Sequence, residues 1–127
     1  MRVLYALLCA LAALPATAEP VVGVWQTEPD KKSLVAHIEI AECGEALCGM
    51  IKNAFNAAGQ QVVTPNVGKR LFWGLQATGT GKYENGTVWV PLMDVTARAK
   101  MTLSGDTLEV VGCKGIICDG QTWTRVN

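Results

Sequence analysis

The sequence has few of the residues that catalysis and nucleic-acid binding usually require. Its 127 residues include one histidine, charged residues make up only 17%, and aromatic residues only 6%. Lysine plus arginine (11) equals aspartate plus glutamate (11), so the chain lacks the positive excess typical of proteins that bind nucleic-acid phosphates. Because 50% of the residues are apolar, an intrinsically disordered chain is excluded as well. The length fits one domain, and we expect no nucleic-acid partner.

Long apolar runs are also scarce, since residues 3–14 form the only one. At about twelve residues this run is too short to span a bilayer but has the length of a signal-peptide core, and Arg2 precedes it. Ala16-Thr17-Ala18 then matches the small-x-small pattern of a cleavage site. We therefore expect a signal peptide at residues 1–18, cleaved after Ala18, and a periplasmic domain at residues 19–127 without a membrane span. A lipoprotein anchored at Cys9 is the alternative, which the bulky Leu8 before it disfavours.

The cysteines agree with export. Apart from Cys9 they form two C-x4-C pairs, Cys43 with Cys48 and Cys113 with Cys118. An even count in a small exported domain is typical of a disulfide framework. Zinc is the alternative, but this spacing is at the long edge for a zinc site and an oxidising compartment disfavours free thiolates. We predict two local disulfides, Cys43–Cys48 and Cys113–Cys118, and no metal.

Alternation of apolar and polar residues is the main structural signal. In residues 33–41 it places alternate apolar side chains on one face and His37 and Glu39 on the other, as expected for a half-buried strand. The predicted strands are 21–27, 33–41, 47–53, 69–77, 87–91, 96–103, 107–112 and 120–126. Eight short strands joined by tight turns predict an all-β domain, an antiparallel up-and-down barrel whose closure removes exposed edges.

Two connections stand out in this pattern. Asn85-Gly86 is typical of a two-residue hairpin turn, which needs positive φ at both positions. Residues 54–68 form the one long stretch without alternation. Because loops of this length are usually functional lids or disordered, we expect a functional loop here.

The two ends of the predicted barrel carry a pair of tryptophan motifs. Gly23-Val24-Trp25 opens the first strand and Trp123-Thr124-Arg125 lies in the last. The pair resembles the signature of calycins, the lipocalin-like barrels in which a first-strand tryptophan packs under an arginine from the last strand. The resemblance implies a structural latch between Trp25 and Arg125, a contact worth about 0.5–2 kcal/mol as a cation–π interaction.

Further motifs make the resemblance more specific. They are Cys43 with Leu47-Cys48-Gly49, Arg70-Leu71-x-x-Gly74-Leu75, Gly112-Cys113-x-Gly115 before Cys118, and Gln121 to Arg125. Together with the predicted signal peptide, these motifs resemble those of the bacterial family called domain of unknown function 2147. The resemblance covers essentially residues 19–127. The resemblance implies an exported small calycin-like barrel and implies no activity.

The candidate catalytic residues do not form a recognised catalytic motif. His37 and Glu39 share a strand face predicted to be exposed, where two polar neighbours are more often a solvated surface than a base and its orienting carboxylate. Ser33 and Ser104 lie at turns without the context of a nucleophile elbow. No glycine-rich loop precedes a helix. We therefore expect neither an enzyme nor a cofactor.

The apolar face suggests a binding function instead. We predict that the barrel interior, and any ligand in it, is lined by Leu34, Ala36, Ile38, Leu71, Trp73, Ala97, Ala99 and Met101. Small alanines on this face leave volume at the barrel axis, and an eight-stranded barrel is just wide enough for its own side chains or one small ligand. We expect a monomer that binds a small apolar or amphipathic molecule. The alternative is a filled core, with the protein serving as an envelope protein-interaction or inhibitor module.

Overall fold

The computed structural model describes residues 19–127, so the predicted signal peptide lies outside the described residues. The described range contains strands and turns but no helix, and therefore no helix long and apolar enough to cross a membrane. The strands are β1 (Gly23–Gln26), β2 (Val35–Cys43), β3 (Ala46–Phe55), β4 (Gln61–Val62), β5 (Arg70–Gly79), β6 (Lys82–Val90), β7 (Val95–Ser104), β8 (Thr107–Lys114) and β9 (Ile117–Arg125).

Eight of these strands close into one antiparallel barrel, as the alternation predicts. Their order is β2-β1-β9-β8-β7-β6-β5-β3, and β3 pairs again with β2 to complete the circle. The two-residue strand β4 is an addition outside the circle, paired with the end of β3. β1 joins the first part of the chain to the last, since Trp25 lies opposite Ile38 on one side and Arg125 on the other.

The connections lie at two opposite ends of the barrel. The β2–β3, β5–β6 and β7–β8 turns lie at one end together with residues 19–22. The β1–β2, β3–β5, β6–β7 and β8–β9 connections lie at the other. The alternating direction of antiparallel neighbours dictates this division.

Charge divides between the same two ends within the described residues. At the second end, here the basic end, the cations are Lys31, Lys32, Lys52, Lys69, Arg70, Arg98 and Lys114, and the anions are Glu28, Asp30, Asp94 and Asp119. At the first end, here the acidic end, the anions are Glu19, Glu42, Glu45, Glu84, Asp106 and Glu109, and the cations are Lys82 and Arg125. The barrel is therefore electrostatically bipolar although its charges nearly cancel.

Small residues on the inner face lie next to large ones, so the middle of the barrel is filled. A Cβ atom added at Gly49 would overlap the ring of Phe72, which is fully buried. A Cβ added at Gly86 would lie 2.9 Å from Leu75 Cδ1. The buried core comprises Val21, Trp25, Ile38, Ile40, Leu47, Ile51, Leu71, Phe72, Leu75, Tyr83, Met101, Leu108, Val110 and Trp123. This packing is the alternation of large and small side chains expected of a small filled barrel.

The phase of β5 differs from the prediction. Phe72 lies opposite Gly49 and Val88 and faces the interior, whereas Trp73 lies opposite Thr87 and is only half-buried. Gly74, with φ of 69°, lies where the β3–β5 register shifts, so Leu75 returns to the inner face. The prediction that Trp73 lines the interior is therefore wrong. A β-bulge changes the side-chain phase, and simple alternation does not reveal it.

The predicted turn at Asn85-Gly86 is wrong as well, because both residues lie inside β6. Asn85 has φ of 66° and accompanies a register shift between β6 and β7. The turn between β5 and β6 instead contains Gly81, with φ of 69°. The positive φ that Asn-Gly favours is used here in a bulge rather than in a hairpin turn.

Two smaller differences concern the basic end. Leu34 precedes β2 and is only half-buried, so it does not belong to the buried core. The predicted loop at residues 54–68 is partly regular, because its first two residues complete β3 and Gln61–Val62 form β4.

Candidate functional site

The outer face of β1, β2 and β3 forms an open cleft of about 620 Å³ at the basic end. Because Trp25 and Ile38 face inward, their chain neighbours Gln26 and His37 face outward. The lining comprises Gln26, Pro29, Ser33, Val35, His37, Phe55, Asn56, Ala57 and Gly59. Apolar and polar groups therefore meet in one hollow of the size that small-molecule sites occupy.

Two hydrogen-bonded turns form the walls of this cleft. In the β1–β2 loop, Asp30 Oδ1 accepts hydrogen bonds from the Lys32 and Leu34 amides at 2.8 and 3.0 Å. In the β3–β4 turn, Asn56 Oδ1 accepts from the Ala58 and Gln60 amides at 3.0 and 2.9 Å. Side-chain bonds of this kind fix loop backbones. The backbone of both walls is thus fixed by local hydrogen bonds.

His37 is one of the polar residues that line the cleft. Its Nε2 atom is 3.1 Å from Gln26 Oε1, and its ring centroid is 4.6 Å from that of Phe55. Because an amide oxygen only accepts, Nε2 carries the hydrogen, and the neutral ring leaves Nδ1 as an acceptor. Burial, and next the charge of Lys52, hold the pKa of His37 below its usual 6.5. The cleft therefore offers neutral polar groups beside apolar ones at pH 7.

Most of the residues predicted to line the barrel interior lie in or against its buried core. Ile38, Ala99 and Met101 are buried in the filled middle of the barrel, and Ala36 is half-buried against that core. Ala97, opposite Val88 in β6, is half-buried near the basic end. Leu71 is buried and belongs to the hydrophobic core. None of the eight lines the cleft beside His37.

The sequence analysis did not identify the cleft residues because it sought ligand-lining residues only on the apolar face of the strands. Val35, His37 and Phe55 form the opposite, outward face of the same strands. The signal that could have found them is the presence of two apolar side chains, Val35 and Phe55, beside His37 on a face otherwise predicted to be solvated. Their proximity depends on the pairing of Val35 with Phe55, which a single strand does not reveal.

The acidic end carries the latch that the calycin resemblance implies. The Arg125 guanidinium carbon is 4.3 Å from the centroid of the Trp25 ring, and Trp25 is fully buried. Arg125 Nη2 donates to the Pro20 carbonyl at 2.7 Å, and its Nε is 3.4 Å from Asp106 Oδ1. A side chain at Gly23 would collide with the Asn127 carbonyl, which explains the glycine two residues before Trp25.

Tyr83 completes this end from β6. Its hydroxyl donates to Glu19 Oε1 at 3.1 Å, and burial together with that bond raises the pKa of Tyr83 to about 12. The phenol therefore stays protonated at all physiological pH values and ties residue 19 to the barrel.

The cysteines pair as predicted. Cys43 and Cys48 bridge the β2–β3 hairpin with Cα atoms 5.8 Å apart, and Cys113 and Cys118 bridge the β8–β9 hairpin at 4.1 Å. Residues 19–127 contain no group of three metal-ligating side chains. Next to the second bridge, an open depression of about 300 Å³ on the outer face includes Arg98 and Lys114.

Comparison with known proteins agrees with this architecture. The structure resembles that of protein HP1028 from the human pathogen Helicobacter pylori, described as belonging to the lipocalin family, with a TM-score of 0.68 and 16% identity. The similarity covers 87% of this chain and 85% of that one, and at such identity it shows the fold. No curated protein matches the sequence. Residues 23–125 match the model of an uncharacterized protein family conserved in bacteria, DUF2147, and the chain belongs to that family.

Proposed function

We propose that this protein is an exported, periplasmic monomer that binds one small apolar or amphipathic molecule in the cleft beside His37, without catalysing a reaction. The observation that carries the proposal is the cleft itself, about 620 Å³ in volume and lined by Val35, Phe55 and Ala57 beside Gln26 and His37. Ligand sites combine such an apolar lining with a few fixed polar groups. Two disulfides fit an oxidising compartment.

The outer cleft is a better candidate than the barrel axis. The axis is occupied by the protein's own side chains, since Phe72 fills the space over Gly49 and Leu75 that over Gly86. A ligand there would have to displace fully buried groups, whereas the cleft opens to solvent between two preformed turns. Preformed walls lower the ordering cost of binding.

The neutral state of His37 defines the polar part of the ligand. With its Nε2 hydrogen on Gln26, the ring offers an acceptor to a hydroxyl, amide or protonated acid. Phe55 and Val35, which face each other across β2 and β3, offer contact to an apolar tail. A molecule with one hydrogen-bonding head and a short apolar body matches both parts of the cleft.

Native mass spectrometry of protein isolated from the periplasm tests this proposal, because a bound ligand adds mass that denaturation releases. N-phenyl-1-naphthylamine, an apolar fluorescent probe, supplies a titration. Ala57→Trp should block the cleft from its exposed wall and reduce probe affinity about tenfold or more, since a filled pocket loses most of its buried contact area. Ala41→Trp, on the exposed outer face of β2, is the matched control and should bind normally.

A third variant separates the cleft from the barrel axis. Ala97→Leu adds volume near the mouth of the barrel, away from the cleft. If Ala97→Leu abolishes probe binding while Ala57→Trp does not, the ligand lies in the interior and the cleft is the wrong site. Protein that carries no released mass and binds no probe would favour the filled interaction module instead.

A further inference from the structure

Large apolar side chains are concentrated on the turns of the basic end. Leu92 and Met93, in the β6–β7 turn, are 75% and 65% exposed. Ile116 and Ile117, at the β8–β9 hairpin, are 96% and 72% exposed. Turns are normally polar, and clustered exposed apolar groups mark contact surfaces. These four side chains are here called the apolar tips.

The apolar tips belong to neighbouring hairpins rather than to scattered positions. β7 begins directly after the Leu92–Met93 turn and pairs with β8, which ends at the Ile116 hairpin. Two side-chain bonds tie the hairpins together, from Lys114 Nζ to the Thr96 carbonyl and from Arg98 Nη2 to the Gly115 carbonyl, each at 3.4 Å. The tips therefore project from one edge of the barrel.

Positive charge surrounds this edge. Arg98 and Lys114 lie directly behind the apolar tips, and Lys69 and Arg70 lie at the start of the neighbouring strand β5. The anions beside them are Asp94, which accepts a hydrogen bond from Trp89 Nε1 at 2.9 Å, and Asp119, which accepts from the Gly120 amide. Cations are thus in excess where the apolar groups are most exposed.

Two tryptophans lie beneath the same edge. Trp89 and Trp73 are half-buried on the outer face of β6 and β5, and each has a cation over its ring at 5.3 Å, Lys69 and Arg70 respectively. Tryptophan and basic residues beside projecting apolar side chains are the combination found at membrane–water interfaces. The acidic end lacks this combination in the described residues, where its only large exposed apolar side chain is Val126.

We propose that the basic end is a docking surface for an anionic phospholipid bilayer. The apolar tips enter the headgroup region, Trp73 and Trp89 lie at its level, and the surrounding cations are attracted to its negative surface. Charge complementarity selects this occupant over a neutral surface, because each lysine or arginine near an anionic membrane strengthens binding. The acidic end then faces away from the membrane. This inference does not depend on a ligand in the cleft beside His37.

Co-sedimentation with vesicles tests the proposal. The protein is used in the form that the expressing cell produces. We expect binding to vesicles of phosphatidylglycerol and phosphatidylethanolamine, weaker binding to phosphatidylcholine, and a loss of binding as salt is raised. The tip variant Leu92→Ser/Met93→Ser/Ile116→Ser/Ile117→Ser should lower partitioning about tenfold or more, since it removes the inserted apolar surface. Met50→Ser/Val126→Ser, which changes exposed apolar residues elsewhere, should change it by less than about twofold.

Charge variants provide a second, independent measurement. Arg98→Gln and Lys114→Gln should each weaken binding to anionic vesicles about fivefold, and Lys82→Gln at the acidic end should not. All variants share the same N-terminal residues, so differences among them report on the barrel.

Three results would overturn the proposal. One is equal binding of wild-type protein to neutral and anionic vesicles, or to neither. Another is a tip variant that sediments like wild type. The third is cross-linking of the apolar tips to a protein in intact cells without vesicle binding in vitro, which would make this edge a protein interface.

Discussion

The two ends of the barrel are built on opposite principles. The acidic end is closed by specific contacts: Arg125 over Trp25, its bond to the Pro20 carbonyl, and Tyr83 on Glu19. The basic end carries longer connections, an open cleft and exposed apolar turns. The comparison shows one end fixed by specific side-chain contacts and the other left open with exposed apolar groups, an arrangement also found where loops on a rigid scaffold carry function.

Removal of the Trp25 side chain should lower stability more than any of the other changes predicted below. Trp25→Ala deletes a fully buried side chain that joins the first strand to the last, so we expect a loss of about 3–5 kcal/mol in the free energy of unfolding. Urea denaturation measures it. Trp89→Ala, a half-buried tryptophan at the basic end, is the matched control and should cost clearly less. Equal losses would show that the acidic end is not the more stabilising one.

Arg125 tests the polar half of the latch. Arg125→Ala removes the guanidinium bonds to the Pro20 and Val22 carbonyls as well as the contact with Trp25. Hydrogen bonds from a charged group contribute about 1.5–3 kcal/mol, and we expect a loss in that range by urea denaturation. Arg125→Lys should recover only part of it, because an ammonium group lacks the planar fork. If Arg125→Ala had the same urea denaturation curve as the wild type, the latch contacts of Arg125 would not stabilise the barrel.

Gly49 sharpens the comparison by testing the filled middle between the two ends. Gly49→Ala would place a Cβ atom against the ring of Phe72, so we expect overpacking to cost about 1–3 kcal/mol. The double variant Gly49→Ala/Phe72→Leu should destabilise by less than the sum of its single changes, because the smaller side chain makes room. Additive losses would mean that the two residues do not share this space. Ala77→Ser, on an exposed stretch of β5, serves as a neutral reference.

The smallest effect is expected at the cleft, from the protonation of His37. Since its pKa in the folded protein lies below that of the unfolded chain, the unfolded state binds the proton more readily as the pH falls past 6.5. Stability should therefore be pH-independent above that value, so far as His37 contributes, and decline between it and the lower folded pKa. Urea midpoints at pH values on both sides measure the decline.

His37→Gln supplies the control for that titration. It keeps a polar side chain beside Gln26 but cannot titrate, and His37 is the one histidine in the sequence. The difference in slope between wild type and variant isolates the histidine from carboxylates that titrate at lower pH. If the stability of both proteins changed with pH at the same slope, His37 would be solvated rather than partly desolvated in the cleft.

Much of the fold could be predicted from sequence because the barrel follows simple alternation. The pairings of β7 with β8 and of β8 with β9 contain no register shift, and the two C-x4-C hairpins form the local bridges expected from their spacing. The misassignments of Trp73 and of the Asn85-Gly86 turn share one cause. Bulges at Gly74 and Asn85 change the phase within a strand, and they depend on pairing with neighbours.

The candidate site was less accessible to prediction. The cleft joins residues from β1, β2 and β3 that share no periodic pattern, and it exists because Val35 pairs with Phe55 while two turns form walls around them. The cluster of apolar tips likewise depends on which hairpins are neighbours. Alternation along a chain reports which residues are buried, and it carries little information about surfaces assembled from several connections.

The pairing of β1 with β9 has a consequence for the order of folding. Apart from it, the pairings join elements that follow one another along the chain or skip only the short strand β4. Trp25 and Arg125 are separated by almost the whole domain, so their contact carries the largest loop-closure entropy. The pairings between consecutive strands can therefore form progressively before β1 pairs with β9. Contacts between β1 and β9 should form after the main folding barrier. They should therefore affect the unfolding rate of the barrel rather than its folding rate.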